Sequence, residues 1–81
     1  MWNVYILECK DGSLYTGVTT DVKRRFKEHK NKATRYTRSH PPRKITYTEN
    51  FPTQSQALKR EAEIKRLTRK KKLALVAGDF V

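Results

Sequence analysis

The chain has 81 residues, with 19 Lys and Arg against 8 Asp and Glu for a net charge of +11, and 36% of its residues are hydrophobic. That length supports a single domain over residues 1–81, and no apolar run is long enough to cross a bilayer. Cys9 is the only cysteine, which excludes an intrachain disulfide and a zinc knuckle. The excess of positive charge attracts polyanions over a Debye length of about 10 Å, so nucleic acid is the expected partner and a membrane is not. Met1-Trp2-Asn3-Val4-Tyr5 has neither the basic head nor the cleavable apolar run of an export signal, and a cytoplasmic location is expected.

Residues 2–9, Trp-Asn-Val-Tyr-Ile-Leu-Glu-Cys, are rich in β-branched, aromatic and apolar types. Trp2, Val4 and Ile6 share one face, and Asn3, Tyr5, Leu7 and Cys9 the other. Two largely apolar faces predict a central strand covered on both sides. Lys10-Asp11-Gly12-Ser13 supplies turn chemistry, and residues 14–19 form the return strand. A two-residue Asp11-Gly12 turn pairs Tyr15 with Glu8 and sends Tyr5 and Tyr15 to opposite faces. A three- or five-residue loop puts both rings on one face. Turn chemistry favours the two-residue form.

Thr20 or Asp21 caps a helix running to about Lys32. Val22, Phe26, His29 and Ala33 fall in one stripe with Arg25 at its edge, while Lys23, Arg24, Lys27 and Lys30 point elsewhere. A histidine on an apolar face is usually a hydrogen-bonded core residue. An inward arginine one turn away raises the alternative of a functional pair. A basic connector follows, in which Lys32, Arg35, Arg38, Arg43 and Lys44 interleave with Tyr36 and His40. It ends in extended geometry at Pro41-Pro42. Such spacing suits a phosphate backbone, with Tyr36 available to an unstacked base.

Residues 44–50 alternate as a strand with Ile45 and Tyr47 inward. Thr53-Gln54-Ser55-Gln56 matches a capping box opening a helix through about Leu67, with Ala57, Leu58 and Ile64 on its apolar face. Glu61 lies in the middle of that face and Glu63 points away. A carboxylate there is costly unless it is paired or binds a metal. Two accounts stand: an ion pair with Arg25, or a metal ligand. Thr68 caps a short terminal helix and Gly78 lies just past its end. Arg69, Lys70, Lys71 and Lys72 crowd its N-terminus against the helix dipole, a small penalty that a bound anion would relieve.

The singular residues are Tyr5, Tyr15, Gly17, Arg25, His29 and Glu61. In this order they resemble the GIY-YIG nucleases. Asn3-Val4-Tyr5 stands at the first motif and Tyr15-Thr16-Gly17 at the second, followed by Thr19, Arg25, His29 and the run Ala57-Leu58-Lys59-Arg60-Glu61. The likeness spans about Trp2 to Leu75 and is greatest to small single-domain bacterial members. Asn3 and Val4 replace the usual small-apolar pair, and Val18 stands where repair-excision members carry a lysine. There is no counterpart of the late asparagine of some members.

The resemblance implies an α+β fold, a small three-stranded antiparallel sheet flanked by helices, in keeping with the order ββαβα(α) read above. It implies a DNA endonuclease, structure-directed or weakly specific, in repair or recombination, using one divalent cation, Mg²⁺ or Mn²⁺. Glu61 would hold the metal, Tyr5 would activate water and Tyr15 would position water or phosphate. Arg25 would bind the scissile phosphate, His29 would handle phosphate or a proton, and Gly17 would let the backbone pass close to the site. Lys23, Arg24, Lys27, Arg35, Arg38, Arg43, Arg69, Lys70, Lys71 and Lys72 are the expected nucleic-acid contacts, DNA ahead of RNA. The alternative is a non-catalytic nucleic-acid-binding module that keeps the fold.

Overall fold

The computed structural model describes residues 1–31 and 38–78 of the chain. Strand β1 (Trp2–Cys9) is the middle of a three-stranded antiparallel sheet, between β2 (Leu14–Thr19) and β3 (Pro42–Phe51). Helix α1 (Val22–Lys30) follows β2, and helices α2 (Gln54–Lys65) and α3 (Arg69–Val76) follow β3. This is the expected α+β architecture.

Apolar residues on both faces of β1 lead to a core split by the sheet. Val4 and Ile6 pack with Ala57, Ile64 and Leu75 from α2 and α3. Tyr5, Leu7 and Cys9 pack on the other face with Tyr15, Ile45 and Phe26 of α1. Val4, Ile6 and Leu7 are 0% exposed, so β1 is a central strand covered on both sides. Full burial of such a side chain stabilises by about 1.5–3 kcal/mol.

The hairpin departs from the two-residue expectation. Cys9 N–H donates to Ser13 O at 2.9 Å and Gly12 N–H to Cys9 O at 2.9 Å, closing a three-residue loop, Lys10-Asp11-Gly12. Gly12 has φ +85°. A type I′ turn needs positive φ at both central residues, whereas this loop asks it only of a glycine. Asp11 closes the loop, accepting from the Ser13 amide at 3.0 Å and its hydroxyl at 2.6 Å. The pairing becomes Leu7 with Tyr15 and Tyr5 with Gly17, which puts both tyrosines on one face. Distant segments hold the turn. Lys10 N–H donates to Pro41 O at 2.8 Å, His40 Nδ1 lies 2.6 Å from Asp11 Oδ2, and Arg69 Nη2 donates to Gly12 O at 2.7 Å.

Ile45 and Tyr47 do not share a face as simple alternation predicts. The register of β3 slips between Ile6, opposite Tyr47, and Leu7, opposite Ile45. This bulge leaves Thr46 unpaired in the ladder, and its hydroxyl donates to Ile6 O at 3.2 Å. Ile45 therefore joins the Tyr5 face and Tyr47 the Val4 face. Pro42 at the start of an edge strand removes no needed donor.

On α2 the inward stripe is Ala57, Arg60, Glu61 and Ile64, with Ala57 and Ile64 at 0% exposure, Arg60 and Glu61 half-buried, and half-buried Leu67 just past the helix end. Leu58 is 47% exposed, because it sits about 120° around the helix from Ile64 and not beside it. Thr53 Oγ1 accepts from Gln56 N–H at 3.3 Å but donates to Gln56 Oε1 at 3.2 Å, so the Gln side chain does not complete a capping box. Asp21 caps α1, which ends at Lys30; the expected extension through Lys32 and Ala33 lies outside the described residues. Thr68 caps α3, and Gly78 follows its end with φ +76°. Removing the Thr53 hydroxyl orphans a helix donor, so Thr53→Ala should lower stability by about 1 kcal/mol. Urea denaturation would show this as a lower midpoint with an unchanged slope.

Candidate active site on the Tyr5 face

Antiparallel pairing sets Tyr5 opposite Gly17 and places Tyr15 two positions along on the same face. The Tyr5 ring lies across β2 where a side chain would otherwise stand. A Cβ added at Gly17 would fall 2.6 Å from Tyr5 Cζ, closer than real atoms pack. The rings of Tyr5 and Tyr15 are 6.3 Å apart between centroids. His29 meets both edge-on from α1, at 5.8 Å and 5.2 Å. Tyr5 Oη lies 2.8 Å from His29 Nε2, in a bond shielded from water.

Burial pushes the Tyr5 phenol up to about 12. The nearby positive charge of Arg25 opposes the rise, while the neighbouring Tyr15 and the Glu61 carboxylate add to it. Burial first, and then the Arg25 charge, hold the His29 imidazole below its ordinary value of 6.5. Near neutral pH the phenol keeps its proton and the imidazole is uncharged, so Tyr5 O–H donates and Nε2 accepts. The chain's own positive charge thus does not make Tyr5 a ready phenolate.

Arg25 is 30% exposed at its side chain and pairs with Glu28 at 2.9 Å, which raises its pKa further. It does not pair with Glu61. The Glu61 carboxylate, 20% exposed, lies 3.5 Å from the half-exposed Lys65 ammonium one turn on. The ion-pair account that invoked Arg25 is therefore not what holds Glu61. Tyr5, Tyr15, Gly17, Arg25 and His29 come together on one face of the sheet, and the Glu61 charge reaches them from α2.

Among the described residues no three His, Cys, Asp or Glu side chains cluster as a metal cage. A closed zinc site is therefore not built from them. One sheltered carboxylate held only by a solvent-facing lysine does fit a hard cation such as Mg²⁺, which keeps most of its waters and takes one or two carboxylates plus phosphate oxygens.

Lys23, Arg24 and Lys27 are exposed on α1, and Arg38, Arg43, Arg69, Lys70 and Lys71 are exposed elsewhere, with Lys72 half-buried. Arg43 lies 3.6 Å from Glu8, and Arg69 is engaged by the hairpin turn. Arg35 and Tyr36 lie outside the described residues. A network that pattern reading did not reveal joins Arg60 of α2 to Glu49 and Tyr47 of β3. Its signal was a second charge on the inward stripe, directly before Glu61.

The profile of the GIY-YIG catalytic domain matches residues 1–74. The chain belongs to the GIY-YIG family. It is 52% identical over 75 residues to UPF0213 protein BH0048 of Halalkalibacterium halodurans, covering 91% of this chain and 80% of that one. It is 53% identical over 73 residues to UPF0213 protein HQ_3675A of Haloquadratum walsbyi, covering 89% and 82%. The solution NMR structure of UPF0213 protein BH0048 from Bacillus halodurans superposes with a TM-score of 0.61 at 51% identity, covering 95% of this chain and 84% of that one. Among the described residues no helix is long and apolar enough to cross a membrane.

Two outcomes follow for this GIY-YIG face. Gly17→Ala forces the Tyr5 ring off β2 and should cost about 1–3 kcal/mol by chemical denaturation, with a large shift of the Tyr5 ring resonances. His29 has a folded pKa below its unfolded value, so the unfolded chain binds its proton more readily. Its contribution to stability is full above about pH 6.5 and is lost as pH falls through the folded pKa. His29→Gln should flatten that acid limb in melts taken across the pH range.

Proposed function

We propose that this protein is a metal-assisted endonuclease that hydrolyses phosphodiester bonds in DNA, branched or nicked DNA foremost, in cytoplasmic repair or recombination. The observation that carries the reading is the buried Tyr5–His29 hydrogen bond, set beside the Arg25 charge and within the field of Glu61. Membership of the GIY-YIG family supports it.

A phenol held near 12 is a poor free base, but it need not ionise. As a water attacks phosphorus, its proton passes to Tyr5 Oη while the Tyr5 proton passes to His29 Nε2. The new O–P bond forms, the bond to the leaving oxygen breaks, and that oxygen takes a proton from solvent. Neutral His29 ends as the imidazolium and Tyr5 is restored. Arg25 holds the non-bridging phosphoryl oxygens as negative charge builds on them, and Tyr15 orients the water or the phosphate. Glu61 would hold Mg²⁺ or Mn²⁺, which supplies charge neutralisation at the phosphoryl group when bound. The exposed lysines and arginines, Lys23, Arg24 and Lys27 among them, hold the flanking phosphates.

A second reading has its own observation. Among the described residues Glu61 belongs to no group of three or more metal-ligating side chains, which suits a nucleic-acid-binding module without catalysis. Cleavage assays on branched, nicked, single-stranded and duplex DNA, with and without Mg²⁺ or Mn²⁺, separate the two. The nuclease should be metal-dependent. Tyr5→Phe and Glu61→Gln should each lower its rate by about 10²–10³-fold while salt-dependent binding persists. Undiminished cleavage by Glu61→Gln would remove the metal-ligand role. Tight, salt-sensitive binding with no cleavage of any substrate would establish the module instead.

A further inference from the structure

The inward stripe of α2 carries two opposite charges in succession, and they go to different places. Arg60 and Glu61 lie about 100° apart on the helix, on either side of the line through Ala57 and Ile64 that sits on the sheet. The strand order is β2-β1-β3, and α2 packs across all three strands. Arg60 leans to β3, where Nε lies 3.0 Å and 3.2 Å from the two Glu49 oxygens and Nη2 lies 3.1 Å from Oε2. The Tyr47 hydroxyl, one strand repeat away, donates to the same Glu49 carboxylate. Glu61, turned to the other flank, contributes to the field at Tyr5.

We infer that the Arg60–Glu49 fork, steadied by Tyr47, is a positioning device that sets the roll of α2 and thereby aims the Glu61 carboxylate at the cation. This rests on the reading of Glu61 as the metal ligand. Ala57 and Ile64 alone do not fix the roll, because small and aliphatic contacts tolerate a turn of the helix by several degrees. A planar two-point fork does not. The side chains of Arg60 and Glu49 are only 30% and 22% exposed, so the fork is partly sheltered from water and salt. A functional constellation must be held within about 0.5 Å and 10–20° of its working geometry, which is the tolerance that a fork on the adjacent residue can enforce.

A fork that only fastened the helix would affect stability and nothing else. The experiment is therefore Mn²⁺ titration followed by water-proton relaxation, at a temperature where every variant shows a dispersed, folded NMR spectrum. Glu61→Gln should abolish specific binding. Glu49→Gln removes the charge of the fork, and Arg60→Lys keeps its charge but loses its planarity. Each should weaken Mn²⁺ binding by about 10-fold, the scale typical of groups that orient a ligand. Tyr47→Phe, the mildest change, should weaken it in the same direction and serves if the others unfold. Unchanged Mn²⁺ affinity in the folded fork variants, with binding lost in Glu61→Gln, would overturn the positioning role alone. Full Mn²⁺ affinity in Glu61→Gln would overturn the ligand assignment on which it stands.

Discussion

The missing side chain at Gly17 is the constraint on which the site depends. Because β2 presents only backbone there, the Tyr5 ring can lie across it and bring its hydroxyl to His29. Any larger residue would lift the ring away and break that buried hydrogen bond, at a cost of roughly 1–3 kcal/mol. The same close approach dehydrates the phenol and the imidazole. Their opposite pKa displacements, one up and one down, both come chiefly from burial. Geometry and protonation state thus have one origin.

The sheet supplies rigidity from both sides. β1 places Tyr5 on one face and Val4 and Ile6 on the other, so the strand that carries the phenol is also the floor for α2 and α3. The two helical layers therefore report to a common strand. α1 delivers Arg25 and His29 from one side, and α2 delivers the Glu61 charge from the other.

Much of this was legible in the amino-acid pattern, and the exceptions have physical causes. The double-faced apolar run of residues 2–9 identified the central strand, and helical spacing singled out His29 and Glu61 over their neighbours. The side of Tyr15 was not legible, since it turns on whether a loop holds two residues or three. That choice was made by the Asp11 side chain bonding Ser13 and by contacts from Pro41, His40 and Arg69, remote in sequence. Alternation misplaced Tyr47 relative to Ile45 because a bulge is a property of two strands together, invisible in either one. Leu58 was assigned inward by its type, whereas the roll of α2 is fixed by Arg60 reaching Glu49.

The tethering of the hairpin turn bears on what holds this chain in its folded state. Arg69 and Gly12 are 57 residues apart, and His40 and Asp11 are 29 apart. The β1–β2 hairpin on its own therefore lacks the groups that lock its loop. A one-residue slip would exchange the faces of every side chain on β2. In the folded chain Arg69 takes the Gly12 carbonyl in the three-residue loop geometry. The last helix thus braces the first hairpin, and the stability of the correct pairing rests partly on contacts distant in sequence.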